Sequence, residues 1–134
     1  MERFEDWPQR LTRCAIEAQS RPFVWGAHDC ATFAADCVLE MTGVDLIEGM
    51  RGRYDGPISA AKLIKNEGFD DLGDIVSGIL EEIDVDRCAR GDVVLCEGEE
   101  GDFLAIVVGL TAVGPTEAGL RHVPLPAAKR GFRV

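Results

Sequence analysis

The residues best suited to chemistry lie together in the segment His28-Asp29-Cys30. The pattern that follows predicts a helix beginning at Cys30, so free backbone N–H groups and the positive end of the helix dipole favour the thiolate form of this side chain. Because the thiolate is the nucleophilic form of cysteine, Cys30 is the candidate catalytic nucleophile. A structural role is the alternative, since cysteine is also a common buried core residue.

A cysteine nucleophile needs a neighbouring base, and the chain contains two histidines, His28 and His122. His28 lies two residues before the thiol, where a local hydrogen bond is the simpler role. His122 lies in a late predicted strand, on the same face as Leu120, and serves Cys30 only if the two meet in space. A surface or satisfied histidine is the alternative for His122.

Three neighbours of Cys30 are candidate binding residues. Trp25 and Gly26 belong to an aromatic, turn-rich approach that suits contact with a ligand chain. Asp29 occupies the N-cap position of the predicted helix. Trp25 is equally compatible with a role as a core anchor.

The other cysteines indicate neither disulfides nor a metal site. The total of five is odd, no two have Cys-x-x-Cys spacing, and the N-terminus lacks the layout of a signal peptide. We therefore expect free thiols, no metal and no cofactor. The predicted core or near-core thiols are Cys14, Cys37, Cys88 and Cys96.

The helix that positions Cys30 has the clearest periodicity in the chain. Apolar residues recur at helical spacing from Cys30 to Met41, with Asp29 at the N-cap and Gly43 at the expected stop. This continuous stripe predicts a buried central helix. Three further helices are predicted: one that begins after its candidate cap Asp6 and ends at Arg21, one over 59–67 and one over 72–83. Residues 50–56 are predicted to form a loop.

Strand patterns dominate after residue 90. Asp92 is expected to hydrogen-bond its own turn, and 97–101 is expected to form a hairpin loop. Helices followed by strands predict one α+β domain over 1–134, with the Cys30 helix packed on an antiparallel sheet of four to six strands. The predicted strands are 93–96, 103–108, 111–113, 120–123 and 132–134. The predicted core contains Leu11, Phe33, Ala34, Cys37, Val38, Met41, Val94, Leu104 and Ile106.

The charge distribution excludes one class of partner and suggests another. The net charge of -10 is unsuited to nucleic acid or an anionic membrane, which both attract basic faces. No apolar run is long enough to span a bilayer, so we expect no membrane insertion and synthesis in the cytoplasm. Residues 67–102 carry most of the negative charge, and this stretch is either a solvated face or a surface for a basic partner.

Taken in order, these motifs resemble the NlpC-type cell-wall cysteine peptidases of the papain-like superfamily. The approach Phe23-Val24-Trp25-Gly26 is similar to the family's Tyr-x-x-Gly-Gly, and Asp29-Cys30 is similar to its nucleophile motif. The stretches 90–95 and 103–109 are similar to its Gly-Asp-Leu step and to the strand that follows. The resemblance covers residues 22–113 and is closest to the short versions encoded among bacteriophage and prophage tail genes.

The resemblance also implies a loss of catalytic groups. Phe103 occupies the position of the family's histidine, and Thr116 is the one polar residue near the position of the third group. Phenylalanine cannot accept a proton from a thiol. The resemblance therefore implies an inactive phage tail-tip or baseplate component, located in the virion, with other tail proteins and possible peptidoglycan contacts as partners. The alternatives are an active peptidoglycan cysteine peptidase or amidase with His122 or His28 as base, and a thiol function of Cys30 alone.

Overall fold

The fold consists of four helices followed by a sheet, as the α+β prediction requires. The computed structural model describes residues 1–99 and 101–134; Glu100, within the predicted hairpin loop, lies outside the described residues. The helices are α1 (Trp7–Ala18), α2 (Cys30–Thr42), α3 (Pro57–Asn66) and α4 (Leu72–Ser77). The strands are β1 (Glu81–Ile83), β2 (Val93–Gly98), β3 (Gly101–Val107), β4 (Thr111–Thr116), β5 (Gly119–Pro124) and β6 (Ala128–Arg133).

The six strands form one antiparallel sheet in the order β1-β6-β2-β3-β4-β5. Alternate residues of each strand point to opposite faces, so the sheet has two apolar faces. The helical face, which packs against α1 and α2, includes Leu95, Leu104 and Ile106. The opposite face is a second cluster that includes Val94, Cys96 and Ala105.

Helix α2 is the central helix that the apolar stripe predicts. Asp29 Oδ1 accepts a hydrogen bond from the backbone N–H of Thr32 (2.9 Å), while Thr32 Oγ1 accepts one from the N–H of Asp29 (2.7 Å). This reciprocal capping box satisfies backbone donors that have no partner inside the helix. At the other end, Gly43 adopts a left-handed conformation and closes the helix. All nine residues of the predicted core are buried.

Two features of the predicted helices are wrong. The predicted helix over 72–83 ends at Ser77, and its last residues form the short edge strand β1, because they pair with β6. Tertiary pairing overrides a weak local pattern that Gly78 already interrupts. Asp6 stands at the start of α1, but its side chain makes no capping hydrogen bond and instead accepts one from Arg10 (2.8 Å).

Asp92 joins three distant parts of the chain. Its carboxylate accepts hydrogen bonds from the backbone N–H of Ala89 (2.9 Å), the backbone N–H of Val134 (3.0 Å) and the Arg3 guanidinium (3.0 Å). The first contact confirms the predicted turn. The other two bring both ends of the chain to one buried carboxylate, and sequence reasoning did not anticipate them.

Candidate functional site

Cys30 lies at the first turn of α2 and contributes to the floor of a cleft of about 980 Å³. Helix α3 forms one wall of this cleft. Trp25 and the β4–β5 hairpin form part of another, and the β2–β3 hairpin lies at its end. The cleft is therefore large enough for a short peptide segment to contact the thiol.

Asp29 organises the floor of the cleft. Besides capping α2, its Oδ2 accepts hydrogen bonds from the backbone N–H of Gly26 (2.8 Å) and from the Tyr54 hydroxyl (2.6 Å). The residue is 1% exposed. One buried carboxylate thus fixes the aromatic approach, the start of α2 and the loop before α3 relative to one another.

The Cys30 thiol is protonated rather than activated. Burial raises the pKa of Cys30 to about 12, and the charge of Asp29 acts in the same direction. The backbone N–H groups of Leu104, Ala31 and Cys30 itself act in the opposite direction but have the smaller combined effect. The helix N-terminus therefore does not produce the lowered thiol pKa that the sequence pattern favours, because desolvation of the thiolate outweighs it.

Strand β3 presents Leu104, and not Phe103, to the face of the sheet that carries α2. Leu104 belongs to the helical-face cluster, and its backbone N–H interacts with the Cys30 thiol. Phe103 pairs with Cys96 across the ladder and packs with the opposite-face cluster, although it also lines the end of the cleft. Phe103, which the resemblance places at the family's histidine position, is therefore the sequence neighbour of the residue that faces α2. Neither residue carries a titratable group.

His28 is buried next to Cys30 in sequence but makes no hydrogen bond to its thiol. The imidazole is 2% exposed, and both ring nitrogens are without hydrogen-bond partners. The ring packs edge-on against Phe33, with the ring centroids 6.2 Å apart. Burial, reinforced by the positive charge of Arg21, lowers the pKa of His28. The expected local hydrogen bond is absent, and His28 is a neutral core residue.

His122 lies exposed on the edge strand β5, where it pairs with Val113. Val113 belongs to the helical-face cluster, so His122 is directed towards the predicted face. Its imidazole makes no hydrogen bond to Cys30 in the described residues, and no histidine is among the largest causes of the pKa shift of that thiol. In the part of the chain that the structure describes, neither histidine is therefore hydrogen-bonded to the candidate nucleophile.

Of the candidate binding residues Trp25 and Gly26, only Trp25 lines the cleft. The Trp25 indole lines the cleft, packs edge-on with Phe23 and donates a hydrogen bond to Glu117 Oε1 (3.2 Å). Gly26 has a φ of 83°, and a Cβ at this position would lie 2.5 Å from the backbone oxygen of Tyr54. Glycine is therefore required both by the backbone conformation and by the close approach of the next loop.

Tyr54 is the site residue that sequence reasoning missed. Burial, followed by its hydrogen bond to Asp29, raises the pKa of the Tyr54 hydroxyl, so the group remains a neutral donor. A lone tyrosine in a glycine- and arginine-rich loop gives no periodic or motif signal.

In the described residues, no group of three or more His, Cys, Asp or Glu side chains is arranged to hold a metal ion.

The helices and the six-stranded antiparallel sheet have the NlpC/p60 fold. The structure is similar to the crystal structure of the NlpC/p60 domain of the peptidoglycan hydrolase SagA, with a TM-score of 0.62 and 17% sequence identity. The match covers 95% of this chain and 98% of that one.

By sequence, the chain belongs to DUF6950, a domain family of unknown function, which it matches over residues 2–134. No curated protein matches the chain.

None of the helices in the described ranges has the length and apolar character needed to cross a membrane.

Proposed function

We propose that this chain is a non-hydrolytic NlpC/p60-like domain that serves as a structural and binding component of a phage or prophage tail tip or baseplate. The observation that carries the loss of hydrolysis is the isolation of the Cys30 thiol from both histidines. Its pKa is raised by burial, and neither His28 nor His122 makes a hydrogen bond to it.

The chemistry of peptide hydrolysis explains why this isolation matters. A cysteine peptidase needs a base that takes the thiol proton and then protonates the leaving amine, and a further group that orients that base. Neither Phe103, which the resemblance places at the family's histidine position, nor Leu104, on the strand face that carries α2, can perform either task. Backbone N–H groups near the start of α2 are suited to bind a carbonyl oxygen, but binding without an activated nucleophile holds a peptide and does not cleave it.

The tail assignment rests on the resemblance to short, tail-encoded versions of this fold, and the retained cleft gives it a physical role. A cleft of about 980 Å³ beside Trp25 and Cys30 can hold a segment of a neighbouring tail protein or a peptidoglycan peptide. Residues 67–102 carry most of the net negative charge and would favour a basic partner surface. The protein would be made in the bacterial cytoplasm and would function in the virion.

The loss of hydrolysis is tested by the alkylation rate of Cys30 as a function of pH, followed at this site by mass spectrometry. The wild-type thiol should stay unreactive through neutral pH, and replacing His28 or His122 should leave its rate unchanged. Substituting Leu104→His should bring an imidazole to the face that carries α2 and accelerate alkylation. The matched variant Val107→His, on the opposite face of the same strand and away from the cleft, should not.

An active peptidase is the competing function, since the thiol lies at a helix N-terminus on the floor of a cleft. A wild-type thiol with a pKa near neutral, which rises when one histidine is removed, would establish a working Cys–His pair and overturn the proposal. Hydrolysis of peptidoglycan peptides by the purified wild-type protein would do the same, and this assay does not depend on how the variants fold.

The tail role is tested separately in a lysogen that carries the gene. The protein should be found in purified virions, and deletion should reduce the yield of complete tails, with restoration by the Cys30→Ser protein. A protein that stays monomeric and outside the virion, with normal tails and infection after its deletion, would overturn this part of the proposal.

A further inference from the structure

Two cysteines away from the cleft are in direct contact between α1 and α2. The Cys37 thiol donates a hydrogen bond to Cys14 Sγ, with the sulfur atoms 3.3 Å apart. A disulfide has a sulfur–sulfur distance of about 2.05 Å, so the two atoms need to approach by only about 1.3 Å. Each cysteine belongs to a different helix, and the helices pack along one another.

The two thiols differ in access to solvent. Cys14 is partly exposed, while Cys37 is buried. Cys14 lines a small surface groove of about 140 Å³ between the helices, together with Arg21 and Asp36. The hydrogen bond from Cys37 lowers the pKa of Cys14 and raises that of its donor. Cys14 is therefore the thiol that a small oxidant can reach and the one better able to lose its proton.

We infer that Cys14 and Cys37 form a reversible, oxidisable thiol pair whose oxidant is a low-molecular-weight disulfide. Cys14 is the attacking thiol because it is open to the groove. Cys37 is the resolving thiol because it is already in contact with Cys14 Sγ and is buried, so a small oxidant in solution does not reach it. Neither cysteine lines the cleft, and the inference stands whether or not the proposed tail function is correct.

The reaction proceeds by two thiol–disulfide exchanges. The Cys14 thiolate attacks one sulfur of the small disulfide, the small sulfur–sulfur bond breaks, and the released thiolate takes up the proton that Cys14 lost. Cys37 then attacks Cys14 Sγ, breaks the mixed disulfide and transfers its proton to the second leaving thiolate. The two protein thiols lose two electrons in total, and one small disulfide becomes two small thiols.

The test uses the folded protein with Cys30→Ser, which leaves Cys37 as the only cysteine of residues 18–40, and hydroxyethyl disulfide as a neutral oxidant. After oxidation, free thiols are alkylated in acid and the chain is cleaved after glutamate. The fragments 6–17 and 18–40 then contain only Cys14 and Cys37, respectively. We expect these fragments to be linked, with a mass lower by two hydrogen atoms than the sum of the separate fragments.

Single replacements distinguish the two roles. Cys37→Ser should stop the reaction at a mixed disulfide on Cys14, while Cys14→Ser should leave Cys37 unmodified. Because the bridge ties two helices across 23 positions of sequence, oxidation should raise the melting midpoint by several degrees, and reduction should reverse this rise. Circular dichroism shows whether each variant is folded before oxidation.

Two results would overturn the inference, and both are obtained on the Cys30→Ser protein without the further variants. The first is that fragments 6–17 and 18–40 stay unlinked after oxidation, with both thiols still open to alkylation once the chain is denatured. The second is that oxidation links other cysteines or joins two chains while the Cys14 and Cys37 thiols persist.

Discussion

Replacing Asp29 with alanine should destabilise the fold by about 3 kcal/mol, because this carboxylate accepts hydrogen bonds from three segments of the chain. Loss of the helix cap contributes about 1 kcal/mol. The buried N–H of Gly26 is left without its acceptor, which costs about 1–3 kcal/mol. The Tyr54 hydroxyl is only partly buried and can pair with water, so its contribution is the smallest.

Asparagine at position 29 is the informative comparison. Its side-chain oxygen can still cap Thr32, but its NH₂ group then faces the N–H of Gly26, and two donors cannot pair. Asp29→Asn should therefore cost about 1–2 kcal/mol, between wild type and Asp29→Ala. Tyr54→Phe should cost about 1 kcal/mol in the wild-type background and little when Asp29 is already alanine.

Urea unfolding followed by tryptophan fluorescence and circular dichroism measures these differences, and the expected loss for Asp29→Ala corresponds to a fall in melting midpoint of about 10 °C. The slope against urea should be unchanged if the native state keeps its extent of burial. A loss below about 1 kcal/mol for Asp29→Ala, or equal effects of Tyr54→Phe in both backgrounds, would refute the assignment of Asp29 as the joint between these segments.

Two further predictions concern His28 and Gly26. Because burial lowers the pKa of His28 below its ordinary value, the unfolded chain binds the proton more readily, and acidification from about pH 7.5 to about pH 5 should reduce stability more in the wild type than in His28→Leu. Equal losses in urea titrations at the two pH values would contradict this. Gly26→Ala should cost about 1–3 kcal/mol more than Gly49→Ala, because both glycines have a φ of 83° but only the Cβ at position 26 meets a neighbour. Matched unfolding midpoints for the two variants would exclude steric crowding as the reason for Gly26.

The sequence predicts the framework well where a local pattern and its tertiary role coincide. The stripe from Cys30 to Met41, with Asp29 before it and Gly43 after it, encodes both the caps and the buried face of α2. The apolar run over 103–108 likewise predicts a central strand. The structure confirms it as β3, one of the two central strands of the sheet.

The parts that sequence reasoning missed depend on contacts between distant residues. The strand β1 exists because 81–83 pair with β6, and nothing in its own three residues requires this. The bond from Tyr54 to Asp29 and the contact between Cys14 and Cys37 join separate elements. The apolar run over 103–108 also leaves open which of its side chains faces Cys30, because a shift by one residue exchanges the two faces of a strand.

The contacts of Asp92 with Arg3 and Val134 also determine how the domain would respond to mechanical load. Arg3 and Val134 both bind the Asp92 carboxylate. A force applied to the two ends of the chain would therefore reach the fold at two neighbouring points. The force would act first on these contacts and then on the two ladders that join β6 to β1 and to β2. Helix α3 and the β4–β5 hairpin, which form walls of the cleft, do not pair with β6, so tension carried along the chain would reach a neighbour in the cleft first through the β2–β3 hairpin at its end.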